Sequence, residues 1–211
     1  MLRNDFVVMR IFFGLCLMLS ASASCQEKQT RAETVAYPNP DSVLIVYLSR
    51  TNNTKAIAEI IQRSMGGTIV ALELETPYPE DYKAIVDQVA NENATGFLPA
   101  LKTKISIEKY DLIFLGFPTW GMHLPPPIKS FLHQHDLEEK TIVPFNTNAG
   151  YGPGSSFDEV KELCPSSTIL EGFSTKGGVE KDGIHFVFEG ERKKKAELEV
   201  WKWLRKVNLI K

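Results

Sequence analysis

Several absences narrow what this 211-residue chain can be. No basic block is long enough to track a nucleic-acid backbone: the formal charge is -2, and the one dense cationic run, Arg192 to Lys195, precedes a helical pattern and reads as a solvated face. Cysteine is scarce. Cys16, Cys25 and Cys164 are three in all, too few for a disulfide framework. The apolar stretch Ile11 to Leu19 is nine residues long, far short of the ~20 that a membrane-crossing helix needs. Phosphate and nucleophile signatures are missing too. There is no G-x-x-x-x-G-K-[ST], no G-x-G-x-x-G and no G-x-S-x-G elbow. His133 and His135 stand two apart, so they do not share a helix face and make no metal pair.

What is present begins with an export signal. Arg3 and Arg10, the short apolar centre and the small residues "SASAS" before Cys25 are its parts, and Met9 offers an alternative start. Small residues before Cys25, with Gln26, Glu27 and Lys28 after it, resemble a bacterial lipoprotein signal. That resemblance implies an acylated Cys25 and a location anchored to the membrane, in the bacterial periplasm or on the cell surface. Plain secretion, cut near Ala23 or Ser24, is the alternative, and under it a Cys25–Cys164 bridge is open. Removing residues 1–24 takes away Arg3, Arg10 and Asp5, a net of +1, and leaves -3 on the mature chain. Gln26 to Asp41 is polar, contains two prolines near its end and reads as a tether. The organisation is therefore signal 1–24, tether 25–41 and one domain over 42–211.

In that domain apolar runs alternate with helical patterns. "VLIVYL" (43–48) and "DLIFLGF" (111–117) are continuously apolar, as parallel strands covered on both faces must be. Further strands are expected at 68–74, 141–147 and 168–174. Helices are expected at 56–65 (N-capped by Asn53 or Thr54), 81–93, from about Pro127, around 157–163 and over 192–207. Residues 175–191 read as an insertion carrying a short extra strand at 184–188. Strands alternating with helices give a three-layer, doubly wound α/β fold with a five-stranded parallel sheet, and the order 2-1-3-4-5 is favoured.

Ligands of such sheets settle beyond the carboxyl ends of the strands, where strand order reverses. Three loops emerge on that rim. Ser49, Arg50, Thr51, Asn52, Asn53 and Thr54 lie between strand one and the first helix, whose unpartnered N–H groups favour an anion. With neither glycines nor a lysine for a triphosphate, the loop suits a single phosphate monoester. Strand three releases Pro118, Thr119, Trp120 and Gly121, placing a flat aromatic beside that cup. Strand four releases Asn148, Ala149, Gly150, Tyr151 and Gly152, offering hydrogen bonds to a ring edge. His123 is a further candidate to bond the ring, and Arg50 either approaches the phosphate or faces solvent.

With these loops the chain resembles a flavodoxin over residues 42–211. "SRTNNT" looks like the family's phosphate loop, "PTWG" and "TNAGYGPG" like its two ring loops, and "YPEDY" (78–82) recurs in a flavodoxin-like subgroup. Asn52 stands where the family mostly has glycine. The resemblance implies FMN as cofactor, with its phosphate on Ser49, Thr51, Asn53 and Thr54, its isoalloxazine against Trp120 and its pyrimidine side near Asn148 to Gly152. It implies electron transfer with redox partner proteins through an exposed ring edge, by a monomer with no nucleic-acid role. No catalytic side chain and no metal are called for. An NAD(P)H-dependent quinone reductase and a flavin-free binding module are the alternatives.

Overall fold

The computed structural model describes residues 37–211; the signal, Cys25 and most of the tether lie outside the described residues. The tether's last residues are not extended chain. The Asn39 side chain caps a 3-10 turn at Pro40–Ser42 that delivers the backbone into β1 (Val43–Tyr47).

The elements then alternate: α1 (Asn53–Met65), β2 (Thr68–Ala71), α2 (Tyr82–Thr95), β3 (Leu112–Pro118), α3 (Pro126–Gln134), β4 (Thr141–Asn148), α4 (Ser156–Leu163), β5 (Thr168–Ile169), β6 (Phe173–Lys176) and α5 (Gly190–Lys206). All strand pairs are parallel and the order is β2-β1-β3-β4-β5, with β6 continuing beside β4. This is the flavodoxin-like order expected from the alternation of elements.

Parallel strands expose neither face to water, and alternate residues of β1 enter different cores. Val43, Ile45 and Tyr47 join α1 and α5 through Ile57, Ile61, Val200 and Leu204. Leu44 and Val46 meet α3 and α4 through Ile128, Phe131 and Val160. Each such side chain stabilises the fold by about 1.5–3 kcal/mol on burial.

Four local expectations need correction. The strand expected at 168–174 is split in two. Ile142 pairs with Ile169 but Phe145 with Phe173, so four steps of the edge strand oppose three of β4, a one-residue bulge. Its cause lies in β4. The Ile142 carbonyl accepts from Leu170 N–H, and alternation turns Pro144, which has no N–H, toward the same edge. Strand two stops at Ala71, after which Leu74 bridges Leu101 in antiparallel fashion. No strand forms over 184–188; Ile184 makes a single bridge to Val179, and the segment's backbone is satisfied elsewhere by the Asn53 side chain. Finally, α1 is capped by neither Asn53 nor Thr54: Asn52 occupies the N-cap position in the left-handed conformation.

Candidate functional site

The carboxyl ends of β1, β3 and β4 converge on a cavity of about 810 Å³, within the 300–1,000 Å³ usual for small-ligand sites. The loop after β1 forms its closed end. Asn52 turns there with φ 62°, a conformation that Asn adopts more readily than most residues. Ser49 Oγ accepts from Lys55 N–H at 3.3 Å, supplying the cap that the Asn52 side chain does not make. The N–H groups of Asn53 and Thr54 open the helix and have no intrahelical acceptor. Beside them Thr54 Oγ1 and Thr147 Oγ1 lie 2.9 Å apart, both buried. One hydroxyl donates to the other, so the pair keeps one proton to offer a ligand.

Other polar groups of this loop are already spent. The Asn53 amide donates to Thr51 Oγ1 and His185 carbonyl and accepts from Val187 N–H, fastening residues 185–187 to the start of α1. Arg50 turns its guanidinium to Glu180 at 2.6 Å and to the carbonyls of Pro79 and Glu80. It ties three segments together at the cavity wall instead of presenting a free charge to the cup.

The loop after β3 is a tight hairpin. Trp120 and His123 pair across Gly121 and Met122, both at positive φ, 57° and 68°, the pattern of a type I′ turn. Trp120 is half-buried, and its ring stands perpendicular to that of Tyr78 with centroids 5.2 Å apart. The loop after β4 is organised from within: Asn148 Oδ1 accepts from the N–H groups of Gly150 and Gly152, while its amide nitrogen donates to Asn146 Oδ1 and Ser174 Oγ. A Cβ on Gly154 would sit 2.0 Å from the Met122 carbonyl oxygen, so this loop can rest on the hairpin only with glycine there.

Glu159, on α4, fastens the hairpin to the helices. Its carboxylate accepts from Lys129 Nζ at 2.7 Å, Ser155 Oγ at 2.6 Å and Leu124 N–H at 3.2 Å, with His123 Nδ1 at 3.1 Å. Burial would raise its pKa, but these bonds outweigh it and hold the group at about 2. His123 is thereby engaged by Glu159 and Ser155. Tyr78 shifts the other way: burial first, then its bond to the Glu92 carboxylate, pushes the phenol well above its usual range.

Of the rim-loop residues singled out from the sequence, Ser49, Asn52 and Gly150 do not line the cavity and the others do. Three contributions were not foreseen. Thr147 completes the hydroxyl pair; residues 177–181, following β6, close one side, with Lys181 Nζ over the Tyr151 ring at 5.6 Å; and α2 supplies an apolar wall through Tyr82, Val86 and Val89. The Gly177-Gly178 doublet after the last strand was the available signal for the second. His133 and His135 take no part, and His135 instead bonds the Phe131 and Ile105 carbonyls. Among the described residues no cluster of three metal-binding side chains occurs.

A flavodoxin family model matches residues 42–190, most of the chain and all three rim loops. The chain belongs to the flavodoxin family. No curated protein sequence matches it. Among solved structures it is similar to a candidate flavoprotein from Bacteroides eggerthii DSM 20697, with 27% identity and TM-score 0.63 over 79% of this chain and 98% of that one. A candidate flavoprotein from Bacteroides uniformis ATCC 8492 gives 23% identity and TM-score 0.63 over 78% and 98%. A flavoprotein from Lactobacillus acidophilus NCFM, in complex with FMN, gives 23% identity and TM-score 0.57 over 64% and 93%. In this flavodoxin-family member the three loops fall within the matched span, whereas most of α5 lies beyond it.

Proposed function

We propose that this flavodoxin-family protein binds FMN in the rim cavity and exchanges electrons with partner proteins. The observation that carries the reading is the closed end of the cavity. Two orphan helix N–H groups and one spare hydroxyl proton of the Thr54–Thr147 pair converge there with no carboxylate on the cup residues. Neutral donors in that arrangement fit a terminal phosphate monoester. Further along the same cavity, Trp120 offers a flat face and the glycine-bearing loop after β4 offers backbone at close range, as a planar ring requires. FMN, when bound, supplies one- or two-electron chemistry. The protein's own part is to hold the phosphate, orient the ring and keep water from its buried face. Hydrogen bonds to a charged group contribute about 1.5–3 kcal/mol each and aromatic packing about 0.5–1.5, so the cup sets affinity and the Trp120 hairpin sets the ring environment.

Equilibrium titration of the purified protein with FMN, followed by visible absorption and flavin fluorescence, tests the reading. Saturable 1:1 quenching is expected; a colourless protein that cannot be loaded would favour a flavin-free binding module. A second reading, an NAD(P)H-dependent quinone reductase, is favoured by the apolar α2 wall, which gives a small acceptor a surface beside the ring loops. Rapid anaerobic bleaching of the loaded protein by NADPH alone would support it. We also propose that the protein is exported and acylated at Cys25, which intact mass measurement of the membrane-extracted protein tests.

A further inference from the structure

We infer that the outer face of α5 is a docking surface for an anionic lipid bilayer. The inference is independent of FMN binding. It gains from the proposed anchor at Cys25 without requiring it.

The helix divides cleanly. Ala196, Val200, Trp203 and Leu204 face the core at helical spacing. The opposite stripe, Lys194, Leu198, Trp201, Lys202 and Arg205, is solvent-exposed, with Leu198 51% and Trp201 42% accessible. Two large apolar side chains three apart on one helix share a patch, and cations surround this one. Charge is concentrated here: residues 190–206 hold seven Lys or Arg against three Glu, a net +4, which leaves -6 on the rest of a chain whose total is -2. Lys193, Lys202 and Arg205 make no ion pair with the described residues, and Arg205 lies over the Trp201 ring at 4.6 Å. Exposed pairs such as Lys194–Glu191 at 2.7 Å are weak and free their lysines readily.

Trp with Leu among Lys and Arg is the composition of an interfacial contact, aromatic and aliphatic groups entering the headgroup boundary while cations meet anionic lipid. Chain geometry favours a bilayer over an acidic protein as occupant. Lys211 Nζ lies 5.8 Å from the Tyr37 ring, so the backbone arrives at β1 beside the end of the chain that follows α5. From Cys25 to Tyr37 is twelve residues, which reach at most about 40 Å when fully extended. A chain held at Cys25 therefore keeps α5 within reach of the membrane. No residue of α5 lines the rim cavity, so contact along α5 leaves the cavity open.

The test uses the full chain carrying Cys25→Ser, which removes the acylation site, with vesicles of phosphatidylglycerol and phosphatidylethanolamine or of phosphatidylcholine, each with and without brominated acyl chains. Brominated anionic vesicles should quench tryptophan emission. Trp201→Phe should remove that quenching, and 0.5 M NaCl or the combined Lys193→Glu, Lys202→Glu and Arg205→Glu substitutions should weaken it at least tenfold at fixed lipid. Circular dichroism of each variant checks folding, and salt sensitivity of the parent gives the same information if a variant fails to fold. Quenching unchanged by Trp201→Phe, quenching equal on neutral vesicles, or vesicle attachment with no quenching at Trp201 would each overturn the inference. So would binding of the α5 face to an acidic protein but not to anionic vesicles.

Discussion

The rings of Tyr78 and Trp120 meet edge to face, 5.2 Å between centroids at an interplanar angle of 87°, while the Tyr78 hydroxyl donates to the buried carboxylate of Glu92. The indole at the cavity thus packs against a residue whose polar end is itself anchored in α2. Gln88 Nε2 supplies the other bond to Glu92, at 2.8 Å.

Removing the phenol hydroxyl should strand half of that carboxylate's bonding. Tyr78→Phe keeps the ring contact but should destabilise the fold by about 1–3 kcal/mol, read as a lower urea midpoint with unchanged slope. Tyr78→Leu should in addition shift Trp120 emission and the midpoint potential of bound flavin. A Tyr78→Phe midpoint equal to the parent's would show that Glu92 gains nothing from the bond.

The paired hydroxyls of Thr54 and Thr147 should act as one unit. Thr54→Ala and Thr147→Val should each weaken FMN about tenfold, using ~1.4 kcal/mol per decade. The double variant should be little worse than either single one, because residues sharing one hydrogen bond are not additive. Fully additive losses in the dissociation constant would contradict the shared-proton arrangement.

Asn52 at φ 62° predicts a distinctive substitution pattern. Asn52→Gly should leave stability and FMN affinity within about threefold of the parent. Asn52→Val should cost about 1–2 kcal/mol, since a β-branched residue resists the left-handed region. Thermal unfolding and flavin titration of both variants read this directly.

Glu159 gives a pH signature. Its folded pKa, about 2, lies below the ordinary 4.5, so its contribution is fully present above pH 4.5 and is lost as pH falls toward 2. Glu159→Gln should therefore lower stability by on the order of 2 kcal/mol at pH 7 and converge with the parent near pH 2. A difference independent of pH would place the effect in packing instead of charge.

The strand order and the three rim loops were legible because they rest on local patterns: continuous apolar runs for buried strands, Asn and glycine at turns. What escaped the sequence depends on partners far along the chain. Thr147 reads as the end of an ordinary strand until the fold sets it against Thr54, 93 residues earlier. Arg50 reads as either a phosphate ligand or a solvent-facing side chain, and only tertiary structure gives it Glu180. The apolar run at 184–188 looked like a strand, but the Asn53 side chain claims its backbone. Pro144 lies inside a run that reads as an uninterrupted strand, and the bulge it faces, with the hydrogen bond lost there, follows only from the register.

Titration of the full chain with FMN, compared with riboflavin, tests the central claim most directly. If the first turn of α1 and the Thr54–Thr147 pair hold a phosphate, FMN should saturate the protein 1:1 and riboflavin, lacking only that group, should bind at least tenfold more weakly. Equal affinities for the two, or no binding of either, would contradict it.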